Sequence, residues 1–412
     1  MSSSLFAGVE LAPRDPILGL NEQFAADPRA DKVNLGVGVY FDDAGKLPVL
    51  ACVAEAERQL LAQSKPKGYL PIDGLAAYDK AVQGLVFGSS ERGRALLDAG
   101  RVATVQTLGG TGGLKLGADL LRRVDPAAEV LISDPSWENH RALFTNAGFT
   151  VHSYPYFDAG RRGVRFEAML AALHTAASGT IVVLHACCHN PTGCDLDAGQ
   201  WQQVVEACRT RGLVPFLDLA YQGFGDGIAE DGAAVQRFVD AGMDLLVASS
   251  FSKSFSLYGE RVGALSVVAR TSDEAARVLS QLKVLIRTNY SNPPTFGASL
   301  VAAVLGTPAL RAQWECELGA MRERIRATRE ALVARLRAAG VTGDLGYVTR
   351  QKGMFSYTGL TAAQMQRLRS EFGVYGVDSG RICVAALNSR NIERVARAIA
   401  AVIARPDSAG SA

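Results

Sequence analysis

Residues 245–263 read Leu-Leu-Val-Ala-Ser-Ser-Phe-Ser-Lys-Ser-Phe-Ser-Leu-Tyr-Gly-Glu-Arg-Val-Gly, and this stretch carries the strongest structural signal in the chain. Its first six residues, Leu245–Ser250, form the nearly continuous apolar run that is typical of a strand buried on both faces. The run stops at hydroxyl groups around Lys253, and Arg261 follows eight residues later. Hydroxyls and a guanidinium can hold a phosphate, while aromatic neighbours lower the pKa of a lysine. An amine of low pKa is what Schiff-base chemistry requires.

Similar segments lie on both sides of this stretch. We expect strands at Val102–Leu108, Glu129–Ser133, Thr150–Tyr154, Thr180–Ala186, Val214–Asp218, Leu245–Ser250 and Ala264–Ala269. Helix-length segments between them include Gly112–Arg123, Glu138–Ala147 and Gly199–Arg211. The alternation predicts an α/β fold with a large domain built on a seven-stranded, mostly parallel sheet.

The composition of the sequence changes near residue 310, where the alternation of apolar strands and helices ends. Arg311–Ala339 is rich in Arg, Glu and Ala and predicts a long solvated helix that links two domains. The segments after it predict a helix near Ala362–Glu371, a strand around Arg381–Ala386, a final helix Asn391–Ala404 and a disordered tail from Pro406 to Ala412. The predicted division is an N-terminal arm and part of the small domain at 1–49, the large domain at 50–309, and the interdomain helix with a smaller α+β domain at 310–412. Asp31–Tyr40 is expected to close onto that smaller domain.

Composition argues against several classes of partner and site. Lys plus Arg number 43 and Asp plus Glu 41, so a net charge of +2 gives no reason to expect nucleic acid. No apolar run approaches the roughly 20 residues that span a bilayer, and no secretory signal is visible, so we expect a cytoplasmic protein. The group His185, Cys187, Cys188, His189 and Cys194 lacks a paired C-x-x-C spacing. We therefore expect buried, reduced thiols on a core strand and no metal.

Reactive groups stand where the predicted strands stop, the edge at which open parallel sheets bind ligands. Gly109–Gly113 opens a helix and suits either a phosphate cradle or a plain tight turn; it matches neither the P-loop nor the dinucleotide fingerprint. Asn190 offers an amide to a phenolate-type oxygen. Asp218, with Tyr221 one turn later, needs a buried partner such as a pyridinium N–H. Together with Lys253, these strand ends supply a possible phosphate cradle, a hydrogen-bond donor for a phenolate-type oxygen, an acid for a ring nitrogen and a reactive amine.

These motifs resemble those of the class I aminotransferases, which are fold-type I enzymes dependent on pyridoxal phosphate. The similar motifs are the segment around Ser252, His-Asn-Pro-Thr-Gly, Asp-x-x-Tyr and Ser-Trp-Glu-Asn-His. The resemblance extends from about Phe6 to Ile403. His-Ala-Cys-Cys-His-Asn from residue 185 and Gly-Met-Phe-Ser-Tyr-Thr-Gly-Leu from residue 353 are similar, more narrowly, to the bacterial aromatic amino acid (tyrosine) aminotransferase branch.

The resemblance implies roles toward the cofactor. Lys253 forms the Schiff base and shuttles the proton, Asp218 pairs with the pyridine nitrogen, and His140 supports Asp218. Asn190 and Tyr221 bond the phenolic oxygen, and Trp137 stacks over the ring. The residues implied to hold the phosphate are Gly110, Thr111, Ser250, Ser252 and Arg261. Tyr69 reaches the phosphate of the neighbouring subunit, which implies a homodimer with shared active sites.

The resemblance also implies the substrates, which are amino acids and 2-oxo acids. Arg381 clamps the α-carboxylate, Arg287 faces a distal carboxylate across the dimer interface, and Gly38 lies in a mobile segment over the substrate. Trp137 and Asn190 are implied to bind the substrate as well as the cofactor. The implied reaction transfers the amino group of tyrosine or phenylalanine, and of aspartate, to 2-oxoglutarate by a ping-pong mechanism. An aspartate aminotransferase with dicarboxylate preference is the alternative. Four positions depart from the aspartate-preferring pattern: Phe41 replaces Lys, Glu138 replaces Pro, Gly113 replaces Ala and Ala386 replaces Gly.

Overall fold

The computed structural model describes residues 4–12 and 17–405, so the predicted tail from Pro406 to Ala412 lies outside the described residues. The strands are β1 (Val33–Asn34), β2 (Val102–Leu108), β3 (Glu129–Asp134), β4 (Thr150–Pro155), β5 (Phe157–Asp158), β6 (Gly163–Val164), β7 (Ile181–His185), β8 (Val214–Leu219), β9 (Leu245–Ser250), β10 (Val262–Val268), β11 (Phe355–Tyr357), β12 (Val374–Tyr375) and β13 (Arg381–Cys383). The helices are α1 (Leu18–Ala26), α2 (Ala51–Ala62), α3 (Ala76–Phe87), α4 (Glu91–Asp98), α5 (Gly109–Val124), α6 (Glu138–Asn146), α7 (Phe166–Thr175), α8 (Ala198–Arg211), α9 (Ile228–Asp240), α10 (Ser272–Asn289), α11 (Phe296–Gly306), α12 (Pro308–Ala338), α13 (Gly346–Arg350), α14 (Ala362–Phe372) and α15 (Ile392–Ala404).

The central sheet has seven strands in the order β2-β10-β9-β8-β7-β3-β4. Strand β10 runs antiparallel to both of its neighbours, and the remaining neighbours are parallel. Strands β7, β9 and β10 are buried at every residue, as expected where helices cover both faces of a sheet. The predicted seven-stranded, mostly parallel sheet is therefore confirmed, with strand ends that differ by one or two residues.

The pairing brings the reactive strand ends to one edge of the sheet. His185 at the end of β7 pairs with Asp218 of β8, and Asp218 pairs with Ala248 of β9. Strand β2 ends at the same edge, because it and β9 both run opposite to the β10 between them. A Cβ on Gly263 of β10 would overlap the backbone of Gly109 at the start of α5. The close approach of these two backbones therefore requires glycine at position 263.

Local predictions differ from the structure at the start of α5 and after β7. Helix α5 begins at Gly109, not at Gly112, so the glycine run forms the first helical turn. Cys187 and Cys188 are buried, as expected, but they follow β7, which ends at His185, and the prediction that they lie on the strand is wrong. The chain bends at Cys188, where φ is +51°, and the Asp195 carboxylate accepts the Cys188 N–H at 2.7 Å.

The C-terminal part is built around α12. One face of this helix is buried, and Trp314 donates from Nε1 to the Ser254 carbonyl at 2.8 Å, so the helix is only partly solvated. Strand β1 pairs with β12 in parallel, so Val33 and Asn34 lie beside Val374 and Tyr375, and β11 pairs with β13. The predicted domain boundaries stay a prediction. Every described helix is too short or too polar to cross a membrane.

Candidate active site

A cavity opens where β2, β7, β8 and β9 end. Of the residues predicted from the sequence, it is lined by Gly38, Gly110, Thr111, Trp137, Asn190, Asp218, Tyr221, Ser250, Ser252, Lys253, Arg261 and Arg381. Its other lining residues are Ile17, Leu114, His185, Ala220 and Phe355. The structure therefore gathers most of the predicted set into one site, from segments spread over the whole chain.

The first part of the cavity is an anion cradle at the start of α5. Gly109 has a φ of +68°, and a Cβ there would lie 2.5 Å from Nη2 of Arg261, so the guanidinium packs directly on glycine backbone. Arg261 donates from Nη1 to Ser252 Oγ at 3.3 Å. The N–H groups in the first turn of α5 after Gly109, the hydroxyls of Thr111 and Ser250, and this cation together suit a phosphate dianion.

A buried acid stands at the end of β8. Asp218 Oδ2 lies 3.1 Å from His140 Nε2, and His140 Nδ1 lies 2.8 Å from Ser136 Oγ, so the imidazole is held from both sides. Burial opposes ionisation of Asp218, but His140, His185 and Lys253 outweigh it and keep the pKa of the carboxyl below its usual value. Asp218 is therefore an anion that faces the cavity and can hold a proton on a ring nitrogen.

The sequence interpretation missed His185 as a cavity residue, although it lies in the fourth predicted strand, Thr180–Ala186, and ends β7. Its ring centroid lies 4.9 Å from that of His140 and 4.3 Å from that of His189. Burial lowers the pKa of His185 to about 3, so its ring is neutral at physiological pH. His140, His185 and Asp218 offer atoms within 4.8 Å of one another, but the His140–Asp218 hydrogen bond already gives the carboxylate a partner, and we assign no metal.

Lys253 follows β9 and extends into the cavity. Its Nζ lies 5.0 Å from the ring centroid of Tyr221. Removal of the amine from water lowers the pKa of Lys253 to about 8, with Asp218 opposing the shift and Arg261 adding to it. About a tenth of the side chains are thus free amine at pH 7, the nucleophilic form, far more than for an ordinary lysine.

Arg381, in β13, forms the opposite wall and is almost fully buried. Its Nη1 donates to Asn190 Oδ1 at 2.9 Å, and its Nη2 donates to the Gly36 carbonyl at 2.8 Å. The guanidinium carbon lies 4.4 Å from the ring centroid of Phe355, which fixes the plane of the fork. Such a rigid fork suits bidentate binding of a carboxylate.

Tyr69 and Arg287 lie away from Lys253. Both are exposed, and they share a separate surface cavity with Leu70, Ile72, Ser291 and Asn292. Arg287 donates from Nη1 to Ser291 Oγ. Within one chain these two predicted site residues therefore meet each other and not the rest of the site.

The residues present fit pyridoxal phosphate. The cradle around Gly109, Ser252 and Arg261 matches the phosphate, ionised Asp218 matches a protonated ring nitrogen, and the Lys253 amine matches an aldehyde. Trp137 lines the same cavity and its ring is edge-on to His140, with centroids 5.3 Å apart, so it can cover a flat ring beside Asp218. The lysine, the acid that matches the ring nitrogen and the phosphate cradle lie at one edge of the sheet, and together they define a site for this cofactor.

Comparisons with known proteins agree with pyridoxal phosphate as the cofactor. The family model of aminotransferase class I and II matches residues 30–399, and the chain belongs to that family. It is a pyridoxal-phosphate-dependent aminotransferase of the aromatic or aspartate type. The structure of an aromatic-amino-acid aminotransferase from Burkholderia pseudomallei, covalently bound to pyridoxal phosphate, is 64% identical with a TM-score of 0.94, covering 97% of this chain and 100% of that one.

Curated relatives fall into both substrate types. An aspartate aminotransferase of Pseudomonas aeruginosa is 59% identical over 400 residues, covering 97% of this chain and 100% of the relative. An aromatic-amino-acid aminotransferase of Escherichia coli is 52% identical over 402 residues, with the same coverage. The names of the relatives thus agree on the reaction and differ on the amino acid.

Proposed function

We propose that this enzyme transfers the amino group of tyrosine or phenylalanine, and of aspartate, to 2-oxoglutarate by a ping-pong mechanism in the cytoplasm. The convergence of Lys253, Asp218 and Arg381 in one cavity is the observation that carries the reaction. Aromatic preference is supported by Phe41, which stands where the aspartate-preferring pattern has a lysine, and by the apolar side chains of Ile17 and Phe355 in the cavity.

Each residue has a defined task in this proposal. Arg381, held by Asn190, binds the α-carboxylate of the amino acid and orients its Cα–H bond. The cofactor supplies an electrophilic carbon and an electron-withdrawing ring. Lys253 Nζ would remove the α-proton and deliver it to that electrophilic carbon of the cofactor, a 1,3-proton transfer.

Asp218 supports that proton transfer. Its carboxylate keeps the proton on the ring nitrogen, and His140 keeps the carboxylate oriented and ionised. Tyr221 and Asn190 hydrogen-bond the phenolic oxygen, while Gly110, Thr111, Ser250 and Ser252 hold the phosphate. The segment that carries Gly38 covers the substrate and excludes water.

We further propose a homodimer with shared active sites. Tyr69 is 97% exposed and shares a surface cavity with Arg287, although both are expected to act at a cofactor and substrate. In a dimer, this cavity would face the partner's Lys253, so that Tyr69 reaches the partner's phosphate and Arg287 its distal carboxylate.

A substrate panel tests the proposal. We expect kcat/KM for phenylalanine and tyrosine to equal or exceed that for aspartate with 2-oxoglutarate as acceptor, and we expect parallel double-reciprocal plots. A large preference for aspartate would replace the aromatic assignment with the aspartate aminotransferase alternative, which the Pseudomonas aeruginosa relative favours.

A further inference from the structure

An acidic side chain stands beside the proposed carboxylate clamp. Glu138 is the first residue of α6, directly after Trp137, and its Oε1 lies 3.7 Å from Nη1 of Arg381. Glu138 Oε2 and Arg381 Nε are both buried and make no hydrogen bond within residues 4–12 and 17–405. The two charged groups face each other without completing a hydrogen bond.

Arg381 does not need Glu138 to stay in place. Asn190 and the carbonyl of Gly36 already accept from its two terminal nitrogens, and the ring of Phe355 covers its face. These partners are neutral, so Glu138 contributes charge and not orientation. At 3.7 Å, in a site where the Glu138 side chain is 28% exposed, opposite charges interact more strongly than in bulk water.

We propose that Glu138 sets the affinity of the site for substrate carboxylates by competing with them for the charge of Arg381. The inference rests on the proposed role of Arg381. A carboxylate that enters the clamp approaches a like charge on Glu138, which weakens the binding of amino acid and 2-oxo acid alike. Glu138 sets the affinity for carboxylates in general, touches none of the reacting atoms, and favours release of the 2-oxo acid product.

A purely structural role for Glu138 makes a different prediction. An acid in the first turn of a helix stabilises the helix dipole, and its removal would then lower stability without changing ligand affinity. Proline at this position separates the two roles. The first helical residue does not use its N–H within the helix and accepts proline, and Trp137 has a ψ of 128° that suits a residue before proline.

The test measures carboxylate binding to the holoenzyme. Glu138→Gln and Glu138→Pro both remove the charge, and Glu167→Gln, in the exposed first turn of α7, is the matched control. Titration calorimetry with succinate and with 3-phenylpropionate, neither of which can react, gives dissociation constants. We expect both constants to fall about three- to fivefold in the two Glu138 variants, as for one partly solvated charge pair. The KM for 2-oxoglutarate should fall in parallel, kcat should not rise, and Glu167→Gln should match the wild type.

Three results would overturn the proposal. Unchanged or larger dissociation constants in both Glu138 variants would do so directly. A lowered thermal midpoint with unchanged dissociation constants would assign Glu138 a structural role only. The third result would be a wild-type holoenzyme that binds neither succinate nor 3-phenylpropionate, together with Arg381 variants that keep full activity. It would show that Arg381 does not bind carboxylates, so the proposed function itself would fail. The first two results leave the role of Arg381 intact and reject only the role of Glu138.

Discussion

Asp218 Oδ2 and His140 Nε2 lie 3.1 Å apart, and both side chains are buried at the end of β8. This pair joins segments 78 residues apart. Asp218 is the only acidic side chain among the described residues that line the cavity. Because the pair keeps Asp218 ionised, its charge is available to a cationic ring nitrogen when the cofactor is bound.

Replacement of Asp218 by Asn should therefore remove most of the activity. We expect kcat to fall at least about a hundredfold, the usual cost of one preorganised electrostatic partner. His140→Asn should cost less, because the carboxylate remains. Steady-state rates with phenylalanine and 2-oxoglutarate, normalised to bound cofactor, measure both. A kcat for Asp218→Asn close to that of the wild type would contradict the assignment.

The pKa of Lys253 predicts how fast cofactor-free protein captures pyridoxal phosphate. The neutral amine is the reactive form, and a pKa of about 8 means that its fraction rises roughly tenfold per pH unit below 8 and levels off above. Stopped-flow absorbance between pH 6 and 9.5 gives the rate. Because Asp218 raises the pKa of Lys253, Asp218→Asn should move the midpoint to lower pH. A rate that keeps rising toward pH 10 would show an unperturbed lysine.

Shared active sites predict that two inactive variants restore activity when combined. Lys253→Ala should keep bound cofactor but lose turnover, and Arg287→Leu should lose activity toward aspartate. In a hybrid dimer, one site receives both wild-type residues, so we expect aspartate activity near a quarter to a half of wild type after the two proteins are unfolded and refolded together. Absence of any recovery, with dimers present by sedimentation, would place Arg287 in the site of its own chain.

The hydrogen bonds of Arg329 predict that its replacement by an uncharged residue lowers the stability of the fold strongly. This buried residue of α12 donates to the carbonyls of Val348, Gly353 and Phe355 at 3.0, 2.8 and 2.5 Å. Burial lowers its pKa to about 10, so it stays protonated at neutral pH. Arg329→Met leaves three carbonyls without a donor at about 1–3 kcal/mol each, partly offset by the removal of a buried charge. We expect about 3 kcal/mol of destabilisation.

The matched control lies one turn earlier on the same helix. Arg326 is about half exposed and sits 3.2 Å from Asp226, so Arg326→Met should cost less than about 1 kcal/mol. Thermal unfolding of both variants gives the comparison. Equal shifts of the two midpoints would mean that the Arg329 hydrogen bonds carry no special stability. Because Phe355 covers Arg381, Arg329→Met should also raise the KM for 2-oxoglutarate, whereas Arg326→Met should not.

The sequence by itself determined the sheet and the residues at its binding edge. Continuous apolar runs identify strands covered on both faces, and parallel strands end at a common edge, so Asn190, Asp218 and Lys253 could be assigned to one site without coordinates. The resemblance to aminotransferases then supplied Arg381, which no local pattern singles out. The start of α5 was missed by three residues because glycine propensity favours a turn, whereas packing against Arg261 and β10 holds a helical turn.

Tertiary structure alone decided which side chains meet. Glu138 lies beside Arg381, the His185 ring is tilted against the rings of His140 and His189, and Arg329 donates to carbonyls up to 26 residues away. These contacts join segments that the chain does not hold together locally, and their geometry depends on how helices pack against the sheet. Sequence periodicity reports which face of an element is buried, but it contains no information about the partner across the interface. The position of Glu138 beside Arg381 therefore follows only from the fold, which brings α6 and β13 together.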